Sequence, residues 1–294
     1  MNSDRVDLGQ AMPALLGGLG EVAGGYDVLL CDVWGVLHDG HIAHGAAVEA
    51  LQQFRGQRGP VILLSNAPRP AEDVAEQLVC LRVPRDCYDS ILTSGMVARE
   101  DLRRRASGIP LQMLHIGPPR DGGIFAGLPV RCVTPDLAEI VLCTGLFDDD
   151  QETPQDYRAM LSSLVDRGLP FLCANPDIVV QRGGKLVWCA GALARLYTEL
   201  GGNSVYYGKP HAPIYAEALR LARMAAERAE PRVLVLGDGL ETDIRGANRA
   251  GLDAVFIADG IHGEDVREMT ASAVAALCRR AGVTAKGAMR KLVW

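Results

Sequence analysis

Short apolar runs closed by turn-forming residues alternate with longer stretches of helical spacing through most of this chain. Val28-Leu29-Leu30-Cys31 reads as a strand buried on both faces, and it ends on Asp32. Beyond Gly40, the residues Ala46, Val48, Leu51 and Phe54 recur at helical spacing and stop near Gly56. Residues 60–64 predict a second buried strand, followed at once by Ser65-Asn66-Ala67-Pro68. Pro70 then opens a helix to about Val79, with Glu72 and Asp73 in the first turn, where the helix dipole favours acids. The same texture returns after residue 203: strand 205–207, helix 213–228, strand 232–236, helix 241–250, strand 253–257 and helix 264–281. Between these halves the pattern predicts strands at 91–94, 111–116, 139–143 and 170–174, and helices at 95–105, 154–167 and 190–200. It also predicts a Gly/Pro-rich loop at 117–127 and a hairpin pairing 178–180 with 185–188. Residues 1–25 carry a weak helical pattern broken by glycines, read as a lead-in helix, and residues 285–294 carry no assignable pattern.

This βα alternation predicts an α/β protein with right-handed crossovers. The economical architecture is a Rossmann-like parallel-sheet core made of residues 1–84 and 203–294, with a second α/β unit, residues 85–202, inserted between its halves.

Composition narrows the function classes. The apolar fraction of 48% and the charged fraction of 22% over 294 residues are those of a soluble globular protein. A net charge of −6 carries no basic excess, which argues against a nucleic-acid partner. No apolar run approaches the roughly 18 residues of a membrane span, and the first 25 residues do not read as a secretion signal. The eight cysteines show no metal-binding spacing, and Cys31, Cys143 and Cys173 lie inside apolar runs. They read as small buried hydrophobes of a reducing, cytoplasmic compartment.

Parallel strands deliver their carboxyl ends to one edge of the sheet, where ligands bind. Asp32, Ser65-Asn66, Lys209, Asp238 and Asp243 all follow core strands in this way. Carboxylates beside a lysine make a magnesium and phosphate site: magnesium takes hard oxygen ligands, while a hydroxyl and an ammonium hold the remaining phosphate oxygens. An aspartate there can also attack phosphorus itself. Asp148-Asp149-Asp150 reads instead as a solvated loop, because three consecutive acids do not face one way. Arg69 suits either a surface role or an anionic substrate. His115 and His211 read as locally satisfied, and Tyr157 and Trp188 as core.

Four motifs in order carry a resemblance. They are Asp32-Val33-Trp34-Gly35-Val36-Leu37, Leu63-Leu64-Ser65-Asn66, Tyr207-Gly208-Lys209-Pro210 and Gly237-Asp238-Gly239-Leu240-Glu241-Thr242-Asp243-Ile244, with Gly246-Ala247-Asn248-Arg249-Ala250-Gly251 beyond them. The chain resembles the haloacid dehalogenase superfamily, class IIA, and the insertion point and the Asn175-Pro176-Asp177 turn fit that class's α/β cap. The resemblance implies a Mg²⁺-dependent phosphatase of a small phosphorylated metabolite, working through an aspartyl-phosphate. Asp32 matches the nucleophile and a metal ligand, Ser65 and Lys209 the phosphate-holding pair, Asp238 a metal ligand, and Asp243 a residue holding metal-bound water. Trp34 would offer its backbone carbonyl to the metal. Asn66, Asn175 and Asp177 are candidate substrate contacts, with the cap loops 117–123, 144–150 and 175–177 setting selectivity. A homodimer held through the cap also follows from the resemblance.

One position departs from the family. Where its phosphatases carry a second aspartate, two residues after the nucleophile, this chain has Trp34, which can neither protonate a leaving group nor activate water. His38, Asp39, Asp136 and Asp177 are the candidate replacements. The alternative is a catalytically weak or inactive protein that binds a phosphorylated ligand.

Overall fold

The structure, a computed structural model, describes residues 12–106, 108–182, 185–260 and 268–294. Two parallel sheets organise it. The larger draws on β1 (Ala14–Leu15), β2 (Val28–Asp32), β3 (Val61–Ser65), β4 (Ser90–Thr93), β12 (Val233–Gly237), β13 (Asp253–Ile257) and β14 (Gly287–Met289), in the order β1-β14-β13-β12-β2-β3-β4. The smaller draws on β5 (Leu111–Ile116), β6 (Val130–Cys132), β7 (Ile140–Cys143), β8 (Phe171–Cys173) and β11 (Ser204–Tyr206), in the order β11-β8-β7-β5-β6. The expected hairpin is present as the antiparallel pair β9 (Val179–Arg182) and β10 (Lys185–Trp188).

Both faces of the large sheet are buried, so its strands read as continuous apolar runs rather than alternating ones. Along β2, Leu29 and Cys31 pack on one face with Leu51 and Phe54 of α2 (Gly45–Gln57) and Val74 and Leu78 of α3 (Ala71–Cys80). Val28 and Leu30 pack on the other with Ile214 and Ala218 of α7 (Ala212–Ala225) and Val274 of α9 (Ala271–Ala281). The cap sheet is covered on one face by α5 (Arg158–Asp166) and α6 (Ala190–Glu199). Its other face packs on Ala98 and Leu102 of α4 (Ser94–Arg105), whose Met96 and Val97 also touch the core cluster.

Several expectations are corrected. The lead-in helix shrinks to one turn, α1 (Gly20–Ala23), and Ala14–Leu15 forms an edge strand on β14. Glycines at 17, 18, 24 and 25 weaken a helix there, while β14 offers unpaired edge groups. The unassigned tail supplies β14, and Leu19 N–H donates to Val293 O at 2.8 Å, tying the residue before α1 to the tail. The 117–127 loop contains a 3₁₀ segment over Pro119–Phe125. The helix expected at 241–250 is a π-type turn over Leu240–Ile244 running into α8 (Arg245–Arg249). The expected start of the last helix at 264 lies outside the described residues. Ser90–Thr93, assigned by pattern to the insert, pairs with β3 in the core sheet. Ser204–Tyr206, assigned to the core, pairs with β8 in the cap sheet, so strand pairing puts both crossings later along the chain. Trp188 is 38% exposed rather than core, because β10 belongs to a two-stranded ribbon. Tyr157 is buried as expected, and six of the eight cysteines are buried thiols, Cys80 and Cys132 being exposed. Among the described residues no helix is long and apolar enough to cross a membrane.

Candidate active site

Register aligns the site. Asp32 lies opposite Leu64, one residue before Ser65, and Cys31 lies opposite Leu236, so Asp238 follows on the other side of β2. The chain order reverses around β2, which lies between β12 and β3 and therefore sits at a topological switch point. Three carboxylates converge there: Asp32, Asp238 and Asp243 are all buried, and each presents an oxygen within 4.8 Å of the others'. Lys209, 3% exposed, directs Nζ at Asp32 Oδ1, at Asp243 Oδ1 (2.7 Å) and at Leu64 O (3.1 Å).

Local backbone explains each placement. Asp243 and Ile244 N–H groups both donate to Gly239 O, at 2.9 and 3.1 Å, which widens the turn into π geometry. That swings the Asp243 carboxylate back so that Oδ2 accepts from Gly239 N–H at 3.1 Å while Oδ1 faces the lysine. A Cβ at Gly237 would lie 2.2 Å from Asp243 Cβ, so only glycine lets the turn close. Gly35, at φ +83, and Gly260 flank Asp238: a Cβ at either would fall 2.1 or 1.9 Å from its Oδ2. Tyr215 on α7, overlooked in the sequence because its helix reads as ordinary amphipathic packing, donates its hydroxyl to Asp243 O at 3.1 Å.

The electrostatics call for a cation. Burial pushes the Asp32 carboxyl well above its ordinary range, with Asp243 adding to the rise and Lys209 opposing it. Burial works against the Lys209 charge, but Asp243 and Asp32 more than offset it and hold the ammonium well above the usual lysine range. Three buried carboxylates against one ammonium leave a local excess of negative charge, costly to keep in a poorly solvated pocket. This all-oxygen donor set fits a hard divalent ion such as magnesium.

The other expected residues sort by geometry. Ser65 Oγ accepts from Ala67 N–H at 3.1 Å and keeps its own proton to donate. Asn66 is buried and bonds to Lys209 and Asp177. Asn175 Oδ1 accepts from Asp177 N–H at 3.0 Å, so it shapes its own turn. Trp34 folds onto its own loop: its ring meets His38 edge-on, with centroids 5.2 Å apart, and packs on Gly40. His38 is buried beneath it, its Nδ1 accepting from Gly40 N–H, and burial depresses its pKa to about 4. It is uncharged at neutral pH and holds no imidazolium proton to give. Asp39 caps its own turn, accepting from His41 and Ile42 N–H. Asp136 is exposed ahead of β7, at the opposite end of that strand from Asn175's edge. Of the four replacements proposed for the missing acid, Asp177 is the one whose side chain bonds a residue that also bonds Lys209, namely Asn66. Arg69 donates to Gln77 at 3.0 Å. Asp149 pairs with Arg120, and Asp150 with Lys185 at 3.7 Å, so the acidic run is an ion-paired surface turn. His115 bonds Thr144 and His211 stacks on Tyr206, both local as expected.

A Rossmann-like core with an inserted α/β cap, and buried acids and a lysine at the core's switch point, defines a capped hydrolase. Residues 29–121 match the family described as haloacid dehalogenase-like hydrolase, and residues 206–279 match the one described as HAD-hydrolase-like. A solved haloacid dehalogenase-like hydrolase from Brucella suis 1330 is 40% identical, with a TM-score of 0.83 over 95% of this chain and 100% of that one. The ribonucleotide monophosphatase NagD of Escherichia coli K12 is 28% identical over 239 residues, 81% of this chain and 89% of that protein. A glycerol phosphate phosphatase from Mycobacterium tuberculosis, solved with magnesium, is 25% identical with a TM-score of 0.64 over 85% of this chain and 73% of that one. The chain belongs to the haloacid dehalogenase-like hydrolase family, class IIA.

Proposed function

We propose that this protein is a magnesium-dependent phosphatase that hydrolyses a small phosphorylated metabolite (a sugar, nucleotide or cofactor phosphate) through an aspartyl-phosphate on Asp32. The observation that carries the reading is the convergence of Asp32, Asp238, Asp243 and Lys209 on one buried point. The phosphatase names of the relatives and the magnesium in one of them support it. Asp32, Asp238 and Asp243, with the Trp34 carbonyl, would hold the ion, which when bound offsets charge on the transferring phosphoryl group. The Asp32 carboxylate forms a bond to phosphorus as the bond to the leaving oxygen breaks. Lys209 and the Ser65 hydroxyl hold phosphoryl oxygens through that step. Water then attacks the phosphorus, releasing inorganic phosphate and restoring Asp32.

Trp34 makes both steps harder for alkyl esters, because positioned acid–base help is typically worth about 10²–10⁴-fold. That substitution is also what favours the second reading, a phospho-ligand-binding protein with negligible turnover. One assay separates the two: p-nitrophenyl phosphate and a phosphometabolite panel, with and without Mg²⁺. Magnesium-dependent release that Asp32→Asn abolishes supports the phosphatase. Tight ligand binding without release supports the binder.

A further inference from the structure

The cap turn at 175–177 is fastened on both sides. Gly191 N–H donates to Asp177 O at 3.1 Å, and a Cβ at Gly191 would lie 2.1 Å from Pro176 O. On the core side, a Cβ at Gly208 would lie 2.6 Å from Pro176 Cδ and 2.4 Å from Asn66 Oδ1. The cap turn and the loop carrying the lysine therefore meet with no room for a side chain between them. One polar bridge crosses this seam: Asn66 Nδ2 donates to Asp177 Oδ1 at 2.8 Å. The same amide closes a ring on the lysine backbone, Oδ1 accepting from Lys209 N–H at 2.7 Å and Nδ2 donating to Lys209 O at 3.2 Å.

An asparagine amide has two N–H donors, and both are taken here, one by Asp177 and one by Lys209 O. None remains for a substrate. The acceptor on Asp177 and the donor on Lys209 together dictate which way the amide faces; rotated by half a turn, it would set an N–H against the Lys209 N–H.

We propose that Asp177 is a positioning residue of the cap: it orients the Asn66 amide, which clamps the Lys209 backbone and aims the ammonium at Asp32 and Asp243. The inference rests on the phosphatase reading of this site, and it moves Asn66 and Asp177 from substrate contact to control of Lys209. A cap turn thereby sets the geometry of a charge in the core.

Steady-state kinetics on p-nitrophenyl phosphate with Mg²⁺ tests it, using Asp177→Ala, Asp177→Asn, Asn66→Ala and the Asp177→Ala/Asn66→Ala double variant. Asp177→Ala is expected to lower kcat about ten- to a hundredfold, the scale of a misplaced catalytic group, with KM moved by less than about threefold. Asp177→Asn keeps kcat within about threefold of the parent, since its amide oxygen still accepts from Asn66. The double variant falls no further than Asn66→Ala alone, because both changes act through one amide. Equal loss in Asp177→Asn and Asp177→Ala would assign a proton-transfer role and overturn the proposal. A loss confined to KM would assign substrate contact and overturn it, as would unchanged kcat in Asp177→Ala or additive losses in the double variant. The phosphatase reading fails separately, if the parent chain releases no p-nitrophenol. In that event calorimetric titration with inorganic phosphate in Mg²⁺ carries the test: affinity about tenfold weaker in Asp177→Ala and kept in Asp177→Asn supports the clamp, and equal affinity in all three chains overturns it.

Discussion

On the proposed function, Trp34 is the residue on which turnover rests. The resemblance sets it where the family's phosphatases carry their acid–base aspartate, and its ring is committed to His38 and Gly40 of its own loop. Trp34→Asp is therefore expected to raise kcat on alkyl phosphates by about 10²-fold or more, measured by phosphate release. An unchanged rate would mean that another group already supplies the proton. Asp238 yields a prediction that does not depend on turnover. A cation bound only by the folded chain raises its stability by mass action. Mg²⁺ is expected to raise the Tm of the parent chain, and Asp238→Asn to shrink that rise, as read by calorimetric melts with and without EDTA. His115 reports on acid stability. Burial depresses its pKa from 6.5 to about 4, so the unfolded chain takes up the proton first. The stability this represents is complete above about pH 6.5 and drains away as the pH falls towards 4. Urea midpoints between those limits should fall less steeply in His115→Gln than in the parent, the buried His38 and His211 adding slope of the same sign and Asp121, raised to about 6 by burial, opposing it.

At the scale of elements, the glycine-hinged junctions decide the site. Gly208 has Asn66 on one side and Pro176 on the other, so Gly208→Ala forces the cap turn away from the lysine loop. It is expected to reduce kcat by at least as much as loss of the Asp177 bridge, while the fold, monitored by circular dichroism, persists. This junction also marks where sequence reading ends. The strands that carry Asp32, Ser65 and Asp238 were legible because strands buried on both faces are unbroken apolar runs. The four motifs placed the carboxylates and the lysine by order and spacing. The Asn66–Lys209 ring spans 143 residues of chain, and nothing in local periodicity encodes which way an amide faces. The Ala14–Leu15 and Gly287–Met289 strands were missed for a related reason: two- and three-residue strands show no period and exist only because a neighbouring edge pairs with them. Trp188 was misread because a short apolar run looks the same in a covered sheet and in an uncovered ribbon.

For the whole molecule, α4 is the element shared by both sheets. Leu102 is fully buried in the cluster that covers the cap sheet, while Met96 and Val97 on the same helix touch the core. Leu102→Ala should cost about 2–5 kcal/mol in urea unfolding, the usual range for such a cavity. The chain passes between sheets at the start of this helix and again beyond β11, and Tyr207, just past the second passage, donates its hydroxyl to Asp101 on α4. Peeling the small sheet away from α4 would strip water-averse surface from Ala98 and Leu102 and break that tether. Keeping those contacts while the small sheet shifts would take α4 with it, at the expense of the Met96 and Val97 contacts with the core. The two passages of chain between the sheets are short, Thr93–Ser94 and Tyr207–Lys209. On the function proposed above, the second of these carries the ammonium assigned to the phosphoryl group, so the link that returns the chain from the small sheet to the large one also delivers the charge paired with Asp32 and Asp243.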